Sequence, residues 1–346
     1  MPKNEAKVTV VISTYNRPEV LRIAIKSVIL QTFSNWKILV IGDHCNQETE
    51  NAVTSFNDSR IQYINLPHRI GAQSGPNSVG IALAMTEYIA FMNHDDVWLQ
   101  DHLEYALENL ENANKDFFIG KCAFTHRSQF TLGDLKIPKF YFASPDNRTA
   151  DMSFDKINIV FESVSSWLIK TIHAKKIGYW KDSREIHRPS LQNWVIRAWR
   201  NKTKFVFGDK ITVLNISTHQ TNTSKTLYST KSLVHIYILN LLENENPDVV
   251  RDFVEKSLEY NKEQIDIETK VLENYPKVFR KIVINKFTKS VCRYTGIDSF
   301  EIFYTVVGLE KGRHMKQLSV DRTGESMPER INIKDIIYEV NLDMNR

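Results

Sequence analysis

The chain has 346 residues, 42% hydrophobic and 25% charged, the proportions of an ordinary globular protein and not of a disordered, fibrous or collagen-like one. Lys plus Arg number 45 against 41 for Asp plus Glu, a net charge of +4; so weak a field gives no ground for a nucleic-acid partner and leaves an anionic ligand or membrane open. No apolar run approaches the ~18–20 residues of a transmembrane helix, the opening MPKNEAK lacks the apolar core of a signal peptide, and Cys45, Cys122 and Cys292 fit no zinc or disulfide spacing, so a cytoplasmic protein is expected.

In chain order, VTVVIS at 8–13 is an almost continuous apolar run, the pattern of a strand covered on both faces. Thr14-Tyr15-Asn16-Arg17-Pro18 then supplies turn chemistry and a proline for the first turn of a helix, whose apolar positions run from Val20 to Ile29. A second strand is predicted at 36–42, a polar helix at 47–56, a third strand at 60–65, a helix at 76–85 and a fourth strand at 88–92. This alternation predicts an α/β layer with a mostly parallel sheet and ligands beyond the carboxyl ends of its strands. A helix over 98–113, a strand over 117–125, a loop or irregular hairpin over 126–155, a helix over 190–200 and a strand pair over 204–216 complete a first domain, 1–228. The remainder, 229–346, reads as a mainly helical extension with predicted helices at 248–274 and 276–290.

Three stretches carry chemistry. Asn93-His94-Asp95-Asp96-Val97-Trp98 follows the fourth strand, and adjacent carboxylates at a strand end suit a hard divalent cation that also holds a diphosphate; the alternative is that Asp96 caps the following helix. Asp43, after the second strand, is either a turn residue or an acceptor for a base N–H. The stretch Arg69-Ile70-Gly71-Ala72-Gln73-Ser74-Gly75-Pro76-Asn77 is a tight loop by composition. There is no G-x-G-x-x-G after the first strand, which argues against a dinucleotide-binding dehydrogenase.

Taken together, VTVVISTYNRP, SVILQTFSNWKILVIGDHCNQET and DSRIQYINLPHRIGAQSGPNSVGIALAMTEYIAFMNHDDVWLQDHLE resemble the inverting family-2 glycosyltransferases with the GT-A fold, over residues 7–104. The resemblance implies a nucleoside diphosphate sugar donor, a glycan or lipid-linked acceptor and a Mg2+ or Mn2+ ion. It places Thr14, Tyr15, Arg17 and Asp43 at the nucleotide, with Gly42 standing where many relatives carry a second acid. It brings Arg69, Gln73 and Asn77 towards the donor, Asp95 to the ribose and Asp96 to the metal. His219 matches a position from which relatives present a histidine to metal or diphosphate; the alternative is a structural histidine.

An inverting transfer needs a base for the acceptor hydroxyl. Relatives place a carboxylate in a pattern resembling P-S-x-x-Asp-Trp-x-x-Arg-Ala, and this chain has Pro189-Ser190-Leu191-Gln192-Asn193-Trp194-Val195-Ile196-Arg197-Ala198. Asn193 cannot accept that proton. Either an upstream acid, Glu185 before Asp182, serves, or the domain binds sugar nucleotide or glycan without turnover. In the extension, Lys281, Lys286, Lys289 and Arg293, then Lys311, Arg313, His314 and Lys316, form basic clusters that are either solvated faces or a peripheral contact with an anionic membrane or lipid-linked acceptor.

Overall fold

The computed structural model describes residues 6–125, 140–144, 163–216, 232–272, 305, 310–312, 316 and 326–344. The apolar runs become strands: β1 (Val8–Thr14), β2 (Trp36–Gly42), β3 (Ile61–Asn65) and β4 (Tyr88–Asn93). They lie in the order β3-β2-β1-β4 and pair in parallel. Their register sets Thr14 beside Gly42, Gly42 beside Asn65 and Ser13 beside Asn93. Four strands therefore end level, and the order reverses at β1, the switch point at which open α/β sheets bind ligands.

Helices α1 (Pro18–Ile29), α2 (Gln47–Thr54) and α3 (Ser74–Leu83) make the first crossovers. Both faces of the sheet are covered. Val8, Val10 and Ile12 pack with Leu21, Ile25 and Val28 of α1, while Val11 and Phe91 pack on the other face with Val79 and Ile81 of α3. Gly80 lets α3 approach the sheet: a Cβ there would stand 2.3 Å from Val11 Cγ1.

The sheet continues through β5 (Asp96–Trp98), β6 (Phe117–Thr125), β7 (Phe140–Ser144), β8 (Trp167–Lys170) and β9 (Phe205–Asn215). Two expectations are corrected here. The helix predicted from residue 98 starts at His102 as α4 (His102–Asn112), because Asp96–Trp98 pair antiparallel with Val213–Asn215 and Leu99 N–H still donates to Thr212 O. The strand pair predicted over 204–216 is one long strand, pairing in parallel with β6 across two register shifts. The first shift sits at Gly208-Asp209-Lys210, where the amides of Asp209 and Lys210 donate to Tyr105 Oη instead of the ladder.

Further helices are α5 (Thr171–Ile177), α6 (Ser190–Arg200), α7 (Leu233–Asn244), α8 (Pro247–Leu272) and α9 (Ile333–Met344). Ile238 and Leu242 of α7 and Val250 and Val254 of α8 pack with Val97, Leu99, Ile211 and Leu214, and Ile336, Ile337 and Val340 of α9 join the cluster around Phe91 and Trp194. The helix expected at 276–290, and all of 126–155 except β7, lie outside the described residues.

Candidate functional site

The level strand ends put four loops at one edge of the sheet, and polar side chains tie them together. Asp43, 5% exposed, accepts from the backbone N–H of Ile70 (2.6 Å) and of Gly71 (2.8 Å), so the loop after β2 holds the loop before α3. Gly71 has φ +77°, the left-handed region that glycine adopts without strain. Burial pushes the Asp43 carboxyl up to about 6, against the pull of those two amides and of the Arg69 charge. Arg69 lies 4.6 Å over the Tyr15 ring, which pins the β1 exit loop to the same corner.

On the β4 side, Asp95 accepts from Arg17 Nη1 at 2.9 Å; the Arg17 side chain is 8% exposed and that of Asp95 29%. His94 Nδ1 accepts from Tyr15 N–H (3.3 Å) and lies 3.1 Å from Thr14 Oγ1, so this histidine fastens the acidic loop to the end of β1. Thr14, Tyr15, Arg17, Arg69, Asp43 and Asp95 are thus brought together by direct contacts or by one intervening residue. Gln73 occupies the residue before α3 and makes no side-chain cap bond. Asn77, in the first turn of α3, is 1% exposed, and its amide N and O have no hydrogen-bond partner.

Asp96 sits differently from the expected metal ligand. Its exposure is 0%, and its oxygens accept from Asn93 Nδ2 (2.9 Å), Ser163 Oγ (2.8 Å), Asn215 Nδ2 (2.7 Å) and the Ser165 hydroxyl. Burial and the neighbouring Asp95 charge raise its pKa, while the donors oppose the rise. An ion at Asp96 would have to displace hydrogen bonds that already fill the carboxylate. Asp95 is the accessible member of the pair, and Mg2+ characteristically takes one or two carboxylates together with substrate phosphates and water. One accessible carboxylate is sufficient for that mode, and among the described residues no group of three or more His, Cys, Asp and Glu forms a cage. His219 lies outside the described residues.

Sequence reasoning missed the residues that build this corner from a distance. Ser163 and Ser165 belong to a single helical turn just before β8, and Ser165 Oγ also accepts from Asn93 N–H (2.9 Å). His235 of α7, 0% exposed, lies 2.9 Å from the Asp95 carbonyl through Nε2 and 2.6 Å from Ser232 Oγ through Nδ1. Burial lowers its pKa to about 4, so at neutral pH it is an uncharged ring. None of these residues lies in a motif; their signal is spatial.

The base candidates have different surroundings. Asn193 is in the first turn of α6 and its Oδ1 accepts from Arg197 Nε at 3.1 Å. Glu185 ends a short helical turn, Ser183–Glu185, and is ion-paired with Arg330 of the carboxy-terminal segment. Both Asp182 and Glu185 line one cleft with Ser74 and Gly75 at the start of α3.

With this geometry in view, comparison with known proteins finds matches over part of the chain. Residues 9–178 match the family model "Glycosyl transferase family 2". The UDP-Glc:alpha-D-GlcNAc-diphosphoundecaprenol beta-1,3-glucosyltransferase WfgD of Escherichia coli is 31% identical over 33% of this chain and 44% of its own length. The putative colanic acid biosynthesis glycosyl transferase WcaA of Escherichia coli (strain K12) is 30% identical over 48% of this chain and 58% of its own length. The crystal structure of S. aureus TarS 1-349 in complex with UDP-GlcNAc aligns at 16% identity and TM-score 0.48, over 74% of this chain and 71% of that one. The chain thus spans about half the length of these curated relatives. Residues 9–178, just under half of the chain, match glycosyl transferase family 2, and the matched part is built on a mixed α/β sheet with helices added at the carboxy-terminal end.

Proposed function

We propose that the protein is an inverting glycosyltransferase that moves a sugar from a nucleoside diphosphate to a hydroxyl of a glycan or lipid-linked acceptor. The observation that carries this reading is the convergence of Thr14, Tyr15, Asp43 and Asp95 at the level ends of β1, β2 and β4 within the family-matched region. Tyr15 and Asp43 are assigned to the nucleotide base. A Mg2+ or Mn2+ ion would be held by Asp95, with Asp96 fixing that loop from beneath, and when bound would supply positive charge at the leaving diphosphate. Arg17, paired with Asp95, adds a fixed cation beside it.

In the reaction a base takes the acceptor O–H proton, the oxygen forms a bond to the anomeric carbon from the face opposite the diphosphate, and the carbon–oxygen bond to the diphosphate breaks. Glu185 is assigned as that base; Arg330, its partner, would have to release it first. A second reading has a specific observation behind it: the family's base position holds Asn193, engaged by Arg197, as in a domain that binds a sugar nucleotide without turning it over. Nucleoside diphosphate release from a panel of sugar nucleotides, started with UDP-glucose because the relative WfgD is named for it, separates the two. Glu185→Gln should lower turnover by ~10²–10⁴ with donor affinity unchanged; equal turnover removes Glu185 from the mechanism.

Peripheral membrane contact through the basic residues of 229–346 belongs to the same proposal. Of the two basic clusters, 281–293 and 311–316, Lys311 and Lys316 are among the described residues, Lys316 paired with Glu310. No helix among the described residues is long and apolar enough to cross a membrane.

A further inference from the structure

Protein interiors satisfy more than about nine in ten of their buried polar groups, so a cluster of exceptions calls for a reason. Three side chains with such exceptions lie on or against α3. Ser74 Oγ, Asn77 Oδ1 and Nδ2, and Trp180 Nε1 are buried without a hydrogen-bond partner, in side chains that are 3%, 1% and 2% exposed. Ser74 and Asn77 are three residues apart and share one helix face. Trp180 is held against α3 by its backbone N–H, which donates to Ser78 Oγ at 3.0 Å, and its ring is stacked 5.8 Å from Trp194.

Ser74 and Trp180 line a cleft of about 200 Å³ whose opposite wall is the carboxy-terminal segment Arg330–Ile333. The wall is anchored on both sides. Arg184 donates to the Pro328 carbonyl, Glu185 pairs with Arg330, and Ile336 and Ile337 of α9 sit in the core beneath. The cleft is smaller than the ~300 Å³ at which drug-sized pockets begin, so it has room for one ring and not for an oligosaccharide. Its charges cancel: Lys181 and Arg330 are matched by Asp182 and Glu185. Ile70, Ile331 and Ile333 give it apolar surface between those polar groups. A neutral lining with apolar patches, one unspent N–H and a hydroxyl that donates or accepts suits a neutral polyhydroxylated ring better than an anion.

We propose that this cleft binds one uncharged pyranose ring, with Ser74 Oγ and Trp180 Nε1 as its buried contacts and the carboxy-terminal segment as the wall that selects it. The proposal deepens the glycosyltransferase reading and rests on it for the origin of the ring. The ring is either the sugar carried by the donor or the terminal sugar of the acceptor. Both present the same chemistry, and the experiment distinguishes them.

The test uses the full chain and three variants: Trp180→Phe, which removes the N–H; Ser74→Ala, which removes the hydroxyl; and Ile331→Trp, which fills the cleft from its outer wall. Titration calorimetry with Mn2+ compares UDP and GDP with UDP-glucose, UDP-N-acetylglucosamine and GDP-mannose. Saturation-transfer NMR reads methyl glycosides of glucose, N-acetylglucosamine and mannose, with and without UDP. If the ring comes from the donor, one sugar nucleotide binds more tightly than its diphosphate; if from the acceptor, one glycoside receives saturation. In either case that gain should fall about fivefold to tenfold in Trp180→Phe and Ser74→Ala and vanish in Ile331→Trp, with diphosphate affinity unchanged. Diphosphate binding with no sugar-dependent gain overturns the cleft proposal and leaves the nucleotide reading standing. A gain that persists undiminished in the variants overturns it as well. Glycoside binding without any nucleotide binding supports the cleft and contradicts the donor reading, and the absence of both refutes the two together.

Discussion

Adjacent carboxylates with different surroundings have different work, and Asp95 and Asp96 separate on that principle. Asp96 is enclosed and fully hydrogen-bonded, whereas Asp95 is part exposed and paired with Arg17. Asp96→Ala would strip an acceptor from two serine hydroxyls and two amides at once, so it should cost about 3 kcal/mol of stability or more, read as a lowered denaturation midpoint. Asp95→Asn, which keeps an oxygen for Arg17, should lower the midpoint by less than Asp96→Ala does and remove the manganese-dependent part of nucleotide binding. A stable Asp96→Ala protein that has lost metal-dependent binding would reverse the two assignments. The acidic pair was legible as a motif. Its division of labour was not, because the partners that enclose Asp96 lie 67, 69 and 119 residues further along the chain at Ser163, Ser165 and Asn215.

At the scale of elements, what could be read from sequence was what local pattern controls. The run Trp36–Gly42 became a strand with the expected bounds, since a stretch apolar on both faces has no other way to be buried in an α/β layer. The segment 96–98 went the other way because β9 offers it a ladder, a contact set by topology. Helix α7 has a consequence for the site that its own sequence does not display: His235 holds the Asp95 carbonyl. His235→Leu should therefore weaken metal-supported nucleotide binding about tenfold, the worth of one buried hydrogen bond at a positioned loop. Ile238→Ala, one turn along the same helix, serves as the control and should lower stability without changing that affinity; parallel losses in both variants would make His235 a packing residue only.

A pH effect belongs to α4. His102 is fully enclosed, its ring tilted against Trp98 at 4.4 Å, with Nδ1 2.8 Å from Thr212 Oγ1, and burial holds its pKa down at about 3 against an ordinary 6.5. Below pH 6.5 the unfolded chain binds a proton that the folded chain refuses, so stability falls as pH drops from that point towards 3. Between pH 7.5 and pH 5 the loss attributable to His102 is about 2 kcal/mol. Denaturation midpoints across this range should decline less steeply in His102→Gln, and equal slopes would exclude the assignment.

For the molecule as a whole, the carboxy-terminal helices do more than extend the domain. Helices α7 and α8 bury Val97 and Leu99 next to the acidic loop, and α9 packs under the cleft beside Glu185. The helix Pro247–Leu272 was legible from its spacing. The faces these helices cover were not, since burial against a sheet formed two hundred residues earlier leaves no local mark. Membrane contact is tested on the full chain: Lys281→Glu, Lys286→Glu, Lys289→Glu and Arg293→Glu together should abolish co-sedimentation with vesicles rich in acidic lipid, and unchanged sedimentation would remove that contact from the account. The most direct measurement for the central claim is release of nucleoside diphosphate from sugar nucleotides, UDP-glucose first, with Mn2+ and a lipid-linked or glycan acceptor panel. The account predicts acceptor-dependent release in the wild type that Asp95→Asn and Glu185→Gln both suppress; tight sugar-nucleotide binding with no release from any donor would contradict it and identify a domain that binds without transfer.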